Sequence, residues 1–190
     1  MTRKYGAYFL FVGRLVSYKG LPYLIQAMGQ IQTQMPLNLV IVGEGPEQEA
    51  LKLEVSRLGL EKRVYFEGRV QDDQDLVSYY RRCEFLVLPS ITHAEAFGVV
   101  LLEAMRQGKP LITTQLKSGV SEVNPDGVTG FQVRPADSNE LARAILRLTT
   151  NKQLCAELGE AAKKRFDNQY SLPKMVEAHL SLYQSVLTGS

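Results

Sequence analysis

Short apolar runs alternate with longer amphipathic stretches through the first 150 residues of the chain. Six of the runs are rich in β-branched and aromatic residues and are almost continuously apolar. That pattern is typical of strands buried on both faces, as in a parallel sheet. We predict strands at Tyr8–Val12, Leu37–Gly43, Arg63–Gly68, Glu84–Ser90, Pro110–Thr114 and Gly130–Pro135.

Helical patterns fill the spaces between these strands. Pro46 suits a first helical turn, Gly59 and Gly108 suit positions just past helix ends, and Asp137 or Ser138 suits an N-cap. We predict helices at Leu21–Thr33, Pro46–Leu58, Asp72–Arg82, Phe97–Gln107 and Ser138–Leu148. Six strands separated by helices predict a doubly wound α/β domain, with a six-stranded parallel, Rossmann-like sheet and right-handed crossovers.

The pattern changes near residue 150, and residues 151–190 form a second predicted unit of extra C-terminal helices. Two helices without strands are expected there, Lys152–Phe166 and Leu172–Leu187. The last one carries an apolar stripe, formed by Met175, Val176, Leu180, Tyr183 and Leu187. Two interpretations stay open: the stripe packs on the domain's own surface, or it extends toward a second domain that this chain lacks.

The composition of the chain indicates its cellular environment more than its function. A net charge of +2 is too small to indicate a nucleic-acid surface, so we expect no nucleic-acid partner. Cys83 and Cys155 have neither the spacing of a metal site nor the number of a disulfide framework. The apolar stretch YFLFVG is too short for a signal peptide, and no run approaches the ~18 residues that span a bilayer. We therefore expect a cytoplasmic protein.

Candidate chemistry lies after the strands, because doubly wound sheets bind ligands at the carboxyl ends of their strands. Arg14 and Lys19 follow the first strand and could hold a phosphate, although two solvated surface charges would explain them equally well. Arg69 follows the third strand and could meet a base or a phosphate, or be exposed. The turn GEGP after the second strand has neither the dinucleotide fingerprint nor the P-loop lysine.

The loop after the fourth strand opens onto a helix whose start could favour an anion, and Gly98 there would let a ligand approach backbone N–H groups. Glu95 and Glu103 flank that start, eight residues apart. On a continuous helix this spacing is roughly 12 Å, longer than the ~5–9.5 Å of a glycosidase carboxyl pair. The pair suits two ends of an elongated ligand, such as a nucleotide sugar, with vicinal hydroxyls on each carboxylate.

Glu103 lies on an otherwise apolar helix, so it needs a partner: a ligand, or a core arginine or lysine. His93 is either an exposed loop histidine or a contact to a sugar. No His, Cys and Asp cluster has metal spacing, and no Asp-x-Asp motif is present, so we predict no metal and no cofactor.

Seven blocks of the sequence, in order, resemble one family. The chain is similar to the C-terminal, donor-binding domain of the retaining group 1 glycosyltransferases with the GT-B fold. The matching blocks are FVGRLVSYKG, LVIVGEGP, VYFEGRV, FLVLPS, EAFGVVLLEAM, GKPLITT and DGVTGFQVRPAD.

The resemblance implies a role for each candidate residue. Arg14 and Lys19 would bind the donor diphosphate and stabilise the departing nucleotide, and Glu103 would hold the ribose. Glu95 would contact hydroxyls of the transferred sugar. The remaining implied contacts are the sugar near Phe97 and Gly98, the phosphate at the N–H groups of Val99 and Val100, and the base near Arg69 and Val70. Transfer would retain anomeric configuration without a metal, with the leaving phosphate assisting deprotonation of the acceptor.

The resemblance also implies an N-terminal acceptor-binding domain that this chain lacks, and it allows peripheral membrane association of the full-length enzyme in polysaccharide biosynthesis. One departure is SGVSE, where many relatives have Gly-Gly-x-x-Glu: Ser118 replaces the first glycine, so the resemblance does not fix the geometry of this loop. Two other functions stay open, a nucleotide-sugar epimerase related to GT-B enzymes and a non-catalytic nucleotide-binding module.

Overall fold

A computed structural model describes residues 2–34 and 36–188 of the chain. Six parallel strands form one sheet in the order β3-β2-β1-β4-β5-β6. The strands are β1 Tyr8–Val12, β2 Asn38–Val42, β3 Val64–Phe66, β4 Leu86–Leu88, β5 Leu111–Thr114 and β6 Gly130–Val133. The chain winds outward in one direction from β1 and then restarts at β4, so the switch point lies between β1 and β4.

Helices connect the strands and cover the sheet. They are α1 Thr2–Tyr5, α2 Leu21–Ile31, α3 Gln48–Arg57, α4 Asp73–Arg82, α5 Val99–Arg106, α6 Gly119–Val123, α7 Ser138–Thr150, α8 Lys152–Arg165 and α9 Leu172–Thr188. All five positions of β1 are buried, as are the three of β4. The two central strands therefore form the middle of the core, which is why their sequences show no polar alternation.

The predicted doubly wound α/β fold is confirmed, and each strand lies within its predicted range. Predicted signals at helix ends also hold: Gly59 and Gly108 follow α3 and α5 with φ of +67°. Asp137 caps α7, its carboxylate accepting from the N–H groups of Asn139 and Glu140 at 3.0 and 2.9 Å. Sequence patterns missed the short helices α1 and α6, which are too brief to show a period.

The two C-terminal helices differ in their packing. Helix α8 buries Cys155, Leu158 and Ala162 against the domain. A five-residue π-helical segment, Phe166–Tyr170, follows it. Helix α9 then leaves its apolar side chains exposed to solvent, which are Leu172, Met175, Val176, Leu180, Leu182, Tyr183, Val186 and Leu187.

Candidate active site

A cavity of about 560 Å³ lies at the carboxyl ends of β1, β2 and β3. Its volume is in the range of small-molecule sites. The wall comes from the loops after these strands and from the first turn of α4, and includes Arg14, Arg69, Val70 and Leu76. Two exposed guanidinium groups, Arg14 and Arg69, and one exposed carboxylate, Glu44, line the cavity, so its lining has an excess of positive charge and can attract an anion.

Glycine makes the floor of this cavity compact. A Cβ on Gly43 would lie 1.9 Å from the Gly13 carbonyl oxygen, and one on Gly45 would lie 2.4 Å from the Leu15 carbonyl oxygen. The loops after β1 and β2 are joined by backbone hydrogen bonds, such as Leu15 N–H to the Glu44 carbonyl at 3.0 Å. The two loops therefore form one surface, and Arg14 extends from it.

A 3₁₀ turn at Ser17–Lys19 brings Lys19 back toward the switch point. The turn ends at Gly20 with φ of +69°, where a Cβ would lie 2.1 Å from the Pro89 carbonyl oxygen. Ile91 N–H also donates to the Tyr18 carbonyl at 2.8 Å. Because only glycine permits this approach, the turn after β1 and the loop after β4 are held together.

Lys19 and Glu95 form a buried ion pair across the switch point. Each side chain is only 10% exposed. The same carboxylate oxygen of Glu95, Oε2, accepts from the Ser90 hydroxyl at 2.9 Å. Ser90 is itself buried, and its carbonyl accepts from the Thr114 hydroxyl at the end of β5. Glu95 is thus held by residues that follow β1 and β4, and the end of β5 in turn holds Ser90.

The helix that carries Glu103 begins two residues later than predicted. Gly98 adopts φ of +73° as N-cap of α5, so the predicted start at Phe97 is wrong. A Cβ on Gly98 would lie 2.9 Å from Leu88 Cδ2, so packing on β4, in addition to the positive φ, requires glycine there. Val99 is 62% exposed at the helix start, and the N–H groups of a first helical turn lack intrahelical partners.

Phe97 is fixed from two sides just before this helix. A Cβ on Gly119 would lie 2.7 Å from Phe97 Cδ2, and the Tyr170 ring packs edge-on at 6.3 Å between centroids. Ser118, the departure from the family pattern, has φ of −149°. That is extended backbone open to any residue, so serine replaces glycine without backbone strain, while Gly119 is required sterically.

Glu103 lines a second cavity of about 260 Å³ between α4 and α5, which shares Leu76 with the first. Its Oε2 accepts a hydrogen bond from the hydroxyl of Tyr80, a residue of α4 that is 1% exposed. Burial, together with the Glu103 carboxylate, raises the pKa of Tyr80 well above its ordinary value. Within residues 2–34 and 36–188, Glu103 has no ion pair, so the partner in this structure is a hydroxyl rather than a core cation.

The structure brings most of the candidate residues to one edge of the sheet. Arg14, Arg69 and Val70 line the larger cavity, and Glu103 lines the smaller one. His93 is exposed in the loop after β4. Seven of the predicted site residues line neither cavity, and these are His93, Lys19, Glu95, Phe97, Gly98, Val99 and Val100.

Sequence reasoning missed the groups that hold the glutamates, Ser90 and Tyr80. Ser90 lies in the sequence of an ordinary strand end and Tyr80 in that of an ordinary helix. Their contacts with the glutamates depend on how separate elements pack, and no sequence motif predicts such contacts.

Two further observations concern the described part of the chain. No cluster of three or more His, Cys, Asp or Glu side chains lies close enough there to hold a metal ion. No helix in those ranges combines the length and apolar character that crossing a membrane requires.

Comparison with known proteins identifies the family. The family described as glycosyl transferases group 1 matches residues 3–165. The O-antigen chain mannosyltransferase C of Escherichia coli is 35% identical over 95% of this chain and 47% of its own length. The D-rhamnosyltransferase WbpZ of Pseudomonas aeruginosa is 39% identical over 84% of this chain and 40% of its own length. The chain spans about half the length of such relatives.

Solved structures agree with this assignment. Anabaena HepE, crystallised in complex with UDP, superposes with a TM-score of 0.83 at 29% identity, over 94% of this chain and 48% of HepE. The C-terminal domain of the group 1 glycosyltransferase LpcC of Francisella tularensis gives 0.81 at 25% identity, over 90% of both chains. The chain therefore belongs to the group 1 glycosyltransferases and corresponds to their C-terminal domain.

Proposed function

We propose that this chain binds the nucleoside-diphosphate sugar donor of a retaining, metal-independent hexosyltransferase of the GT-B type. The observation that carries the proposal is the cationic cavity at the carboxyl ends of the strands, next to the buried Lys19–Glu95 pair. The relative HepE was crystallised with UDP-glucose, and another relative is a mannosyltransferase, which supports a nucleotide-linked hexose.

The diphosphate would lie between Arg14, Lys19 and the start of α5. Arg14 is exposed at the cavity wall. The Lys19 ammonium lies beside Gly13, since a Cβ added to Gly13 would lie 3.7 Å from Lys19 Nζ. The N–H groups of Val99 and Val100 would add the positive end of a helix. Together these donors would stabilise the charge that develops on the departing nucleoside diphosphate.

The transferred sugar would lie against Glu95. Oε2 of this carboxylate is taken by Lys19 and Ser90, which leaves Oε1 to accept from a sugar hydroxyl. The backbone at Phe97 and Gly98 would border the sugar, with His93 from the same loop as a further contact.

The nucleoside would extend across the shared wall at Leu76. Glu103, in the smaller cavity, would accept from the ribose hydroxyls, and Arg69 and Val70 would border the base. The sugar, diphosphate and ribose are then arranged from Glu95 to Glu103, in the order that an elongated donor requires.

The acceptor site and a useful transfer rate would come from the N-terminal domain of the full-length enzyme. Residues 1–150 would form the nucleotide-sugar domain; of residues 151–190, α8 would pack on that domain and α9 would extend toward the acceptor domain. Helix α9 supports this division, because eight large apolar side chains on it are between 48% and 85% exposed. A cytoplasmic enzyme that makes a polysaccharide, in peripheral contact with a membrane, fits this assignment.

The test is calorimetric titration of the chain with UDP, GDP and ADP. We expect one nucleotide to bind without added metal and Arg14→Ala to weaken it about tenfold, since one charge-assisted hydrogen bond contributes roughly that much. Arg57→Ala is the matched control, because Arg57 is equally cationic but pairs with Glu54 on α3. No binding at millimolar concentration, or equal effects of the two substitutions, would contradict the proposal.

A further inference from the structure

We infer that Tyr80 is the positioning residue for the ribose end of the site, and that its hydroxyl aims the Glu103 carboxylate at the ribose. This inference rests on the proposed function, because it assigns Tyr80 a role through the ribose contact of Glu103. Tyr80 does not itself touch the nucleotide in this assignment. It acts by holding one oxygen of the carboxylate that does.

Tyr80 is more deeply buried than Glu103, the glutamate to which it donates. Its side chain is 1% exposed on α4, whereas Glu103 is partly exposed on α5. A glutamate side chain has three rotatable bonds and loses rotamer freedom when it is fixed. A buried hydroxyl from a neighbouring helix removes that freedom before the ligand arrives, and preorganisation of this kind raises affinity.

The hydrogen bond also determines which oxygen is left. Tyr80 donates to Oε2, which leaves Oε1 to accept from a ligand in the cavity that Leu76, Arg106 and Gln107 also line. A tyrosine hydroxyl is protonated at neutral pH, and a carboxylate can only accept, so Tyr80 is the donor in this bond. The free oxygen then accepts from a ribose hydroxyl.

The test compares a ribonucleotide with its 2′,3′-dideoxy counterpart, using whichever of UDP, GDP and ADP binds the chain. The wild-type chain should prefer the ribonucleotide by roughly 10- to 100-fold, the range for hydrogen bonds to a charged group. Tyr80→Phe should lower affinity for the ribonucleotide about tenfold and leave affinity for the dideoxy nucleotide unchanged. A structural role alone would lower both affinities together.

Tyr79→Phe is the matched control. Tyr79 is the adjacent residue of α4, is also buried, and donates to a different carboxylate, Glu67, at 3.2 Å. It loses the same atom from the same helix, so we expect it to retain the preference for ribose. A second variant covers loss of stability: in a Glu103→Ala background, where Tyr80 has no carboxylate to position, Tyr80→Phe should have no further effect on ribose preference.

The outcomes separate the inference from the function on which it rests. If the wild-type chain shows no ribose preference, the ribose contact of Glu103 is wrong, and this inference falls with it. If the wild type prefers ribose and Tyr80→Phe keeps the full preference, only the inference is overturned. An undiminished effect of Tyr80→Phe in the Glu103→Ala background would also overturn it.

Discussion

Glu95 and Glu103 stand eight residues apart, and the protein holds them by different chemistry. Glu95 lies in the loop after β4, where it meets the Lys19 ammonium from the turn after β1 and the Ser90 hydroxyl from the start of its own loop, and all three residues are buried. Glu103 lies on a helix, partly exposed, and meets a single neutral hydroxyl. A buried ion pair fixes a carboxylate strongly, but removing either partner then destabilises the fold. A tyrosine hydroxyl fixes a carboxylate less strongly and leaves its second oxygen free to bind a ligand.

We expect the largest effect when each glutamate is replaced by glutamine, because the two substitutions should differ most in the stability that they remove. Glu95→Gln leaves Lys19 charged and buried without a counter-charge, and we expect a loss of about 3–5 kcal/mol in the free energy of unfolding. Glu103→Gln keeps an acceptor for Tyr80, so we expect a loss of about 1 kcal/mol or less. Urea unfolding followed by circular dichroism measures both, and equal losses would remove the distinction.

A double substitution sharpens the comparison at the Glu95 end. Lys19→Met and Glu95→Leu should each destabilise the fold, but the double variant should recover about 2–3 kcal/mol, since a buried pair can be replaced by apolar groups. The double variant should still lose nucleotide binding. Lys52→Met, which breaks the exposed pair with Glu49, is the control and should change stability by less than about 1 kcal/mol. Additive losses in the double variant would show that the pair is not coupled.

Ser90→Ala should have an intermediate effect. It removes one hydrogen bond to Glu95 but leaves the ion pair with Lys19 in place, so we expect a loss of about 1–2 kcal/mol. Binding of UDP, GDP or ADP should change little, because Ser90 supports the sugar end. Ser78→Ala is the control, because the Ser78 hydroxyl only bonds the Gln74 carbonyl within α4. A stability loss no greater than that of the control would argue against the support of Glu95 by Ser90.

The smallest effect is expected at a third carboxylate, Glu67, which is held by tyrosines but lies outside the proposed site. Burial raises its pKa, but the nearby Tyr5 hydroxyl and the hydrogen bonds from Lys4 and Tyr79 outweigh burial and hold the pKa of Glu67 below its ordinary value. Its contribution to stability is therefore present above the unfolded pKa and lost as the pH falls through the folded pKa.

Glu67→Gln should lower stability at pH 7, and the gap to the wild type should narrow toward pH 4. Nucleotide affinity should stay unchanged. Thermal unfolding across this pH range measures the gap, with Glu160→Gln on the exposed face of α8 as the control. If the difference in stability between wild type and Glu67→Gln grew as the pH fell, the pKa of Glu67 would be raised rather than lowered by folding, and the prediction would be wrong.

The sequence predicted the sheet well because its signals are local. Each strand is a continuous apolar run, and Gly59, Gly108 and Asp137 mark helix ends through their own backbone or side-chain chemistry. The site was predicted as a set of residues but not as a set of contacts. Tyr80 lies 23 residues from Glu103, and Lys19 lies 76 residues from Glu95, so only the packing of the helices and the strand order bring them together.

The start of α5 shows a different limit. The apolar pattern begins at Phe97, but Gly98 has a positive φ and the helix starts at Val99. The contact of Gly98 with Leu88 decides this, and Leu88 belongs to another element. A periodic pattern records which side chains are buried and does not record where the backbone turns.

The close contact between the loops after β1 and β2 limits which residues can replace the glycines at positions 43 and 45. Gly43 and Gly45 border an open cavity, where surface positions ordinarily accept many residues. Any Cβ there would overlap the backbone of the first loop, at 1.9 and 2.4 Å from its carbonyl oxygens. In a saturation library selected for folded protein, we expect both positions to be as intolerant of replacement as Phe9 or Leu10 in the core. Arg14, whose exposed side chain lines the same cavity, should accept substitution there and fail only in a selection for activity.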